Sequence, residues 1–520
     1  MKKKLLSVLL STAMVASLLV GCGSEPAPAE EPAAEPAEEP AEEPAEEPAD
    51  DEAEAPADDE SASAWTADLS GDTGKVLNIY CWNDEFQRRV RDHYPDYVDN
   101  GDGATGSIGD VQVNWVIVPS DDMAYQNNLD ETLLKQADAA DDDKIDMFLI
   151  EADYALKYVN AEGVCISMED LGLTDYMGDQ YKYVKDIVTD GNGNVNGTSW
   201  QACPGLYICR RSVAKEVFGT DDPAELQTHF SDWDKFAESA QALADAGWKV
   251  VSGYDDAYRV FSQNVSTPWV VDGKITVDDN IMNWVEQTKD FTDKGFNNKT
   301  SLWSDDWSKN MGSSGNVFGY FGPAWFIDFT MDGPTGATLD DPSAEHEVGN
   351  GTWGDWVAIE GPQGFFWGGT WACAAQGSDN QGLVADIMYQ LTCNPEIMKE
   401  IVVDDNDFCN NQPLMEEMAA GGTTSGFLGG ENVLEKFCAG VSTVSMENST
   451  IYDQGMTEQF QGAMKDYFDG NVDLDTALEN FYKNVETRYP EITKCRFVKV
   501  HTRKLHANLC ANYEQTIFLT

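Results

Sequence analysis

The sequence predicts an α/β protein, on three observations. Short apolar runs that end in polar residues alternate with stretches whose apolar positions recur every three or four residues, so strands and helices take turns. At 520 residues, 42% hydrophobic and 11% aromatic, the chain can bury a large core, and more than one domain is expected. Seven of the fifteen tryptophans fall between Trp303 and Trp371, a stretch held together by three glycine-rich pieces at 317–325, 351–356 and 361–371. Glycine lets backbone approach a ligand closely, and an indole beside it is a flat apolar platform with one polar handle. Seven indoles on glycine-bounded loops are hard to bury together, so this stretch reads as a binding site, with a sugar ring as the ligand whose C–H faces and hydroxyl rim suit it.

The first element is an export signal over residues 1–21. Lys2, Lys3 and Lys4 precede an apolar run from Leu5 to Val20 that is short for a membrane span. Leu19-Val20-Gly21-Cys22 resembles a bacterial lipobox, which implies acylation of Cys22 and a lipid anchor on the outer face of the cell membrane. A tether follows, over 22–74. Between Gly23 and Ala64 it carries seventeen acids and no Lys or Arg, a composition that stays extended and self-repelling. The formal charge of −59 excludes nucleic acid as a partner.

Folded sequence starts near Lys75. Val76–Trp82 reads as a buried strand, and Phe86, Val90 and Tyr94 then mark a helix capped by Asn83 or Asp84. Val111–Val118 alternates as a second strand, a helix covers about 123–136, and Ile145–Ile150 is a third strand followed by Glu151-Ala-Asp153-Tyr154. This order predicts a parallel sheet, whose ligands gather at the carboxyl ends of the strands, where Trp82–Glu85 and Glu151–Tyr154 lie. Asp190–Asn194 begins like a calcium loop, but Val195 and Gln201 stand where Gly and Glu are needed, so it reads as a tight turn. Thr198–Arg210 is extended, with an interruption at Pro204-Gly205. Ser231 opens a helix through Leu243, Trp248–Ser252 is a strand that delivers Tyr254-Asp255-Asp256, and a helix spans about 280–292. Leu383, Ile387 and Leu391 mark another helix, Asn394-Pro395 caps the next, and Leu474–Val485 is the last, stopped at Tyr489-Pro490. From Thr493 the composition reverses to five Lys or Arg and one acid, so 493–520 reads as an atypical basic tail outside the fold.

Cysteine and histidine spacing predicts neither zinc nor a redox motif, and no cofactor or metal is expected. Cysteines such as Cys81 and Cys209 fall within apolar strands and read as small buried hydrophobes. No H-E-x-x-H or G-x-S-x-G motif is present. A surface carbohydrate hydrolase or adhesin, or a sugar-sensing receptor for a signalling kinase, remains the alternative reading.

Together the lipobox, the acidic tether, Val76–Trp82, Asp146–Ile150, Trp200–Gly205, Phe318–Trp325 and Gly364–Trp371 resemble family 1 extracellular solute-binding proteins, the carbohydrate-binding lipoproteins of ABC importers. The resemblance runs from Lys75 to about Ile492. It implies a two-lobed periplasmic-binding-protein-like fold of type II, with lobes joined by crossing segments around a central cleft that traps the sugar. Lobe 1 is then 75–203 with 357–410, and lobe 2 is 204–356 with 411–492. Trp200–Tyr207 and Ile359–Trp371 take the positions of crossings, and Trp325, in Gly-Pro-x-Trp, takes that of a stacking aromatic. The contact set this implies is Trp82, Asn83, Asp84, Glu85, Glu151 and Asp153 from lobe 1, and Trp200, Gln201, Tyr254, Asp255, Trp325, Asp328, Trp367 and Trp371 from the crossings and lobe 2. One departure is visible: no basic residue directly follows Asp84, so the hydroxyl contacts of maltodextrin binders need not transfer. The implied protein is a monomer without catalytic residues that captures a mono- or oligosaccharide and delivers it to ABC permease subunits.

Overall fold

Each apolar run of the N-terminal third is too hydrophobic to face water, and the runs pack side by side. The computed structural model describes residues 65–335 and 351–494. The export signal, Cys22, the tether through residue 64 and the tail from residue 495 lie outside the described residues. In chain order the strands are β1 (Val76–Cys81), β2 (Tyr97–Asp99), β3 (Thr105–Ile108), β4 (Val111–Ile117), β5 (Met147–Glu151), β6 (Pro204–Arg210), β7 (Val270–Val271), β8 (Lys274–Ile275), β9 (Gly319–Gly322), β10 (Trp356–Ile359), β11 (Phe365–Phe366), β12 (Thr370–Ala374) and β13 (Thr493–Lys494).

The first sheet has the order β12-β5-β1-β4-β3-β2. Its centre is parallel as expected, β1 lying between β5 and β4. Its edges are not: β12 joins β5 antiparallel, and β2 and β3 form an antiparallel extension on β4. A short return such as 109–110 permits only an antiparallel neighbour, which is why the sheet is mixed. Helix Glu85–His93 buries Phe86 and Val90 and packs on helices Gln381–Thr392 and Pro395–Asp404. Asn394 caps the latter as the sequence predicts, accepting from the Glu396 N–H.

The second sheet is built around β6, which pairs antiparallel with β10, β9 and β11. Helices Trp233–Asp245, Tyr258–Ser262, Asp279–Lys294, Asp453–Phe468 and Leu474–Arg488 belong to this half, whose core is aromatic: the Tyr207, Phe230, Phe236 and Phe321 rings meet at 4.7–5.6 Å. Several local expectations differ from the structure. β6 runs unbroken through Pro204-Gly205, because Gly205 admits the Phe365 ring and Pro204 sits at the strand start, where its missing N–H costs little. Asp232, not Ser231, caps helix Trp233–Asp245 by accepting from the Lys235 N–H. Residues 248–252 make a single bridge from Lys249 to Val317 rather than a strand, and the Val250 N–H goes to the Phe296 carbonyl. Thr493-Lys494, read as tail, pairs with β8.

The chain passes between the halves three times. Residues 200–203 lead into β6, 360–369 lead from β10 through β11 to β12, and 405–411 lead out of helix Pro395–Asp404. These passages hydrogen-bond to one another: Asn410 N–H to Trp200 O (2.7 Å), Ala202 N–H to Phe408 O (3.0 Å) and Trp367 N–H to Cys203 O (3.2 Å). Among the described residues no helix is long and apolar enough to cross a membrane, and all eight cysteines are free, Cys81 and Cys209 fully buried.

At Gly205 a Cβ would lie 2.0 Å from the buried Phe365 ring. Gly205→Ala is therefore expected to cost about 1–3 kcal/mol in urea unfolding, and adding Phe365→Leu to recover part of that loss.

Candidate functional site

In the first sheet the loops that leave β1 and β5 are neighbours, because these strands are adjacent and parallel. The β1 loop places Trp82 edge-on to Tyr125 (5.6 Å) and Tyr154 (6.2 Å), leaving the indole partly exposed. Asn83 Oδ1 accepts from the Glu85 N–H, and Asp84, with a 58% exposed side chain, stands 4.0 Å from Arg88. In the β5 loop Glu151 Oε2 accepts from the Asp153 N–H (2.8 Å). Glu151 is in register with Thr370, so the passage Trp367-Gly368-Gly369 lies beside it. Burial, then the Asp153 charge, push the Glu151 carboxyl up to about 8, against the pull of Arg259.

In the second half, two indoles lie at the passage that leads back to the first sheet. Trp325 is partly buried and donates to the Trp367 carbonyl (3.1 Å). A Cβ at Gly368, whose φ is +71°, would stand 3.1 Å from the Trp325 ring, so only glycine lets the passage lie against this indole. Trp303 is 53% exposed and lies near-parallel to Trp325, with centroids 6.4 Å apart and planes at 21°. Its φ of +65° is a left-handed conformation that costs a bulky residue energy, the kind of strain that functional sites retain. Behind the pair, Asp256 accepts from Trp307 Nε1 (2.6 Å), and burial pushes its carboxyl up to about 6. Asp255, less enclosed, is pushed to about 7 by burial and by Asp256, while Lys465 opposes the shift.

Of the residues predicted as contacts, the structure brings Trp82, Asn83, Asp84, Glu151, Asp255 and Trp325 to partly open positions in the two halves. Asp153 is there too, held by the Arg259 guanidinium (2.6 Å). Glu85, Trp200 and Gln201 are buried behind the site, Gln201 Nε2 donating to Glu85 Oε1 (2.7 Å) and Trp200 Nε1 to Asp407 (3.2 Å). Tyr254 is buried with its hydroxyl on Asp469 (2.6 Å), and Trp371 is buried with Nε1 on the Val184 carbonyl (2.9 Å). Trp367 is 6% exposed and backs Trp325. Asp328 lies in the helical turn Phe326–Met331, and its side chain lies outside the described residues.

The expectation that seven indoles resist burial differs from the outcome: Trp307, Trp356, Trp367 and Trp371 are buried, Trp325 and Trp353 partly so. The glycines explain it, since Gly319 lets the Tyr207 ring lie against β9 and Gly426 receives Trp353. Sequence reasoning also passed over Trp303, exposed beside Trp325, and Arg259, which holds Asp153. Arg259 had a legible signal, as a rare cation in a strongly acidic body. The left-handed backbone that presents Trp303 had none. Among the described residues no group of three or more His, Cys, Asp or Glu is arranged to hold a metal ion.

Two halves, each with its own sheet and joined by three passages, have the architecture of a ligand-trapping protein rather than of a sheet with a surface site. The sequence model of the bacterial extracellular solute-binding protein family matches residues 59–413, and the chain belongs to that family. A search of curated protein sequences finds no match. Solved structures share the two-lobed fold. The ABC transporter-associated binding protein of B. animalis subsp. lactis Bl-04, in complex with β-1,6-galactobiose, aligns at TM-score 0.61 and 17% identity, over 82% of this chain and 100% of its own. The galacto-N-biose/lacto-N-biose I-binding protein of Bifidobacterium longum, in complex with lacto-N-biose, aligns at 0.54 and 14%, over 81% and 97%. Maltose-bound MalE3 of T. maritima aligns at 0.56 and 12%, over 80% and 100%.

The raised carboxyls set a pH dependence. A carboxyl whose pKa is higher in the fold than in the unfolded chain stabilises the fold while protonated. That contribution is complete below about pH 4, the unfolded value, and is lost as the pH climbs through about 7 for Asp255 and about 8 for Glu151. Melting temperature is therefore expected to fall between pH 5 and pH 8.5, and Glu151→Gln to flatten the fall above pH 6, as read by scanning calorimetry.

Proposed function

We propose that this chain is the substrate-binding component of an ABC importer and that its solute is a mono- or oligosaccharide held between the lobes. The observation that carries this is the pair of partly open, near-parallel indoles, Trp303 and Trp325, with Trp325 bonded to the passage that leads to Thr370 beside Glu151. Indole faces take the C–H side of a sugar ring, and carboxyl and amide groups take its hydroxyls. A carboxyl that holds its proton near neutrality, as Glu151 does, both donates to and accepts from a hydroxyl. The likeness to binding proteins solved with galactobiose, lacto-N-biose and maltose supports the same ligand class.

In this reading lobe 1 is drawn from 75–203 with 357–410 and lobe 2 from 204–356 with 411–492, except that β10 and β11, which pair with β6, move with lobe 2. Sugar contacting both lobes stabilises the closed arrangement, because a ligand shifts a population only by binding one state better, and the closed form docks on a pair of permease subunits. No covalent step is required. The protein acts as a monomer, anchored through acylated Cys22 on the outer face of the cell membrane, with the acidic tether holding the body away from anionic lipid.

Calorimetry against β-1,6-galactobiose, lacto-N-biose, maltose and their longer homologues tests the ligand class, with chromatography of the recovered sugar. Intact sugar bound at one per chain is expected. Shortened products would assign the chain to the hydrolases instead. Trp325→Ala is expected to weaken binding by about 1–3 kcal/mol, on the scale of aromatic stacking, with melting little changed. A core role would instead cost about 3–5 kcal/mol of stability. Cys22→Ser is expected to move the protein from the membrane fraction to the soluble fraction of a bacterial host, and detergent-dependent sedimentation of the variant would show that another segment anchors it.

A further inference from the structure

Both halves of the body are acidic, with 72 acids against 25 bases between Lys75 and Thr493. Two such surfaces repel as they approach, and the repulsion strengthens as water leaves the seam. A cation stands at that seam. Arg259, on helix Tyr258–Ser262 of the second half, points its guanidinium at Asp153 in the β5 loop of the first. The pair is bidentate, Nη1 donating to Oδ1 (2.6 Å) and Nη2 to Oδ2, with side chains 18% and 19% exposed. Glu151 lies within the same field from the first half and Asp453 from the second. One guanidinium is thus paired with one carboxyl and acts through its charge on two more, drawn from both lobes.

We infer that Arg259 and Asp153 form a strap across the cleft that sets how readily the two lobes close, and so sets the affinity of the site without contacting the ligand. Both of its forked N–H groups are directed at Asp153, which is the geometry of a structural pair rather than of a hydroxyl reader. Asp153, in turn, has both oxygens engaged. The helix that bears Arg259 packs on helix Asp279–Lys294 and on β11, so the guanidinium moves as part of the second lobe. The β5 loop moves with the first sheet. Separating the lobes therefore breaks this pair outright.

A second contact between the halves serves as the internal comparison. Arg488, at the end of helix Leu474–Arg488, reaches Met123 Sδ (2.9 Å), but its ion-pair partner is Glu458 of its own half (2.5 Å). A thioether is a weak acceptor, so this contact adds little to closure. Arg488 keeps its charge partner whether the lobes are open or closed. Arg259 does not.

The inference concerns lobe motion and is tested without any sugar. Small-angle X-ray scattering of the full chain, purified free of ligand, gives the radius of gyration, and the tether and tail are common to every variant, so differences report the lobes. Arg259→Gln and Asp153→Asn are each expected to enlarge the radius at low salt, and 1 M NaCl to enlarge that of the wild type by screening the pair. The charge swap, Asp153→Arg with Arg259→Asp, is expected to restore the wild-type radius, which loss of a merely structural side chain would not do. Arg488→Gln is expected to leave it unchanged. With β-1,6-galactobiose, lacto-N-biose or maltose, whichever binds, Arg259→Gln is expected to raise Kd about tenfold, the usual scale of such coupling, and the swap to recover it. Circular dichroism and melting confirm that each variant is folded, and Asp153→Asn supplies the comparison if Arg259→Gln melts early. Wild-type radii for both single variants would overturn the strap, as would a swap that stays expanded. Failure of every sugar to bind would count against the carbohydrate reading and leave the scattering result standing on its own.

Discussion

One buried amide holds the three passages between the lobes in register. Gln201 Nε2 donates to Glu85 Oε1 (2.7 Å) and to Asp407 Oδ2 (3.2 Å), and its Oε1 accepts from the Thr370 N–H (3.2 Å). These partners lie on the helix behind the β1 loop, on the third passage and at the start of β12. Asp407 also accepts from Trp200 Nε1 and from the Phe408 N–H, with Arg89 3.8 Å away. Burying so many polar groups is tolerable only when each finds a partner, since an orphaned one costs about 1–3 kcal/mol. The lobes therefore have a pivot whose partners all belong to one arrangement. Because Glu85 opens the helix that directly follows Trp82, Asn83 and Asp84, that loop is tied to the passages through this node.

The acidity of the chain acts differently in different places. On the surface it keeps the body soluble and repels other polyanions. Where the body encloses its carboxyls desolvation dominates, and Glu151, Asp255 and Asp453 are all pushed towards their protonated forms, burial being the first cause in each. In the proposed reading such carboxyls would both donate and accept, which suits a hydroxyl-rich neutral ligand better than a cation. The few bases gain weight accordingly, Arg259 at the seam and Arg89 at the pivot.

The aromatic residues divide by the same logic. Most of the indoles in the tryptophan-rich stretch pack inward, where glycine-bearing strands leave room for large rings, and they make the second lobe a rigid aromatic body. Trp303 and Trp325 are left at its rim. In the proposed reading a rigid backing makes them a preorganised platform, which would spend little entropy on binding.

The amino-acid pattern by itself determined the strands β1, β4 and β5, the helices over 85–93, 381–392 and 474–488, the cap at Asn394, and the polar loops after β1 and β5. Each rests on short-range physics, periodicity and capping, that is complete within a dozen residues. It also carried the resemblance to solute-binding proteins, through runs such as Phe318–Trp325. Only the tertiary structure decided which residues of those runs face the cleft. Trp200, Gln201 and Trp371 share the composition of a site but are consumed by the hinge and the core, because their polar atoms meet partners about 170–210 residues away. Arg259 and Asp153 meet across 106 residues. Strand edges followed the same rule, with β12 turning antiparallel against β5 because it returns from the other lobe. Burial and long-range pairing depend on where distant segments meet, and local periodicity carries no record of that.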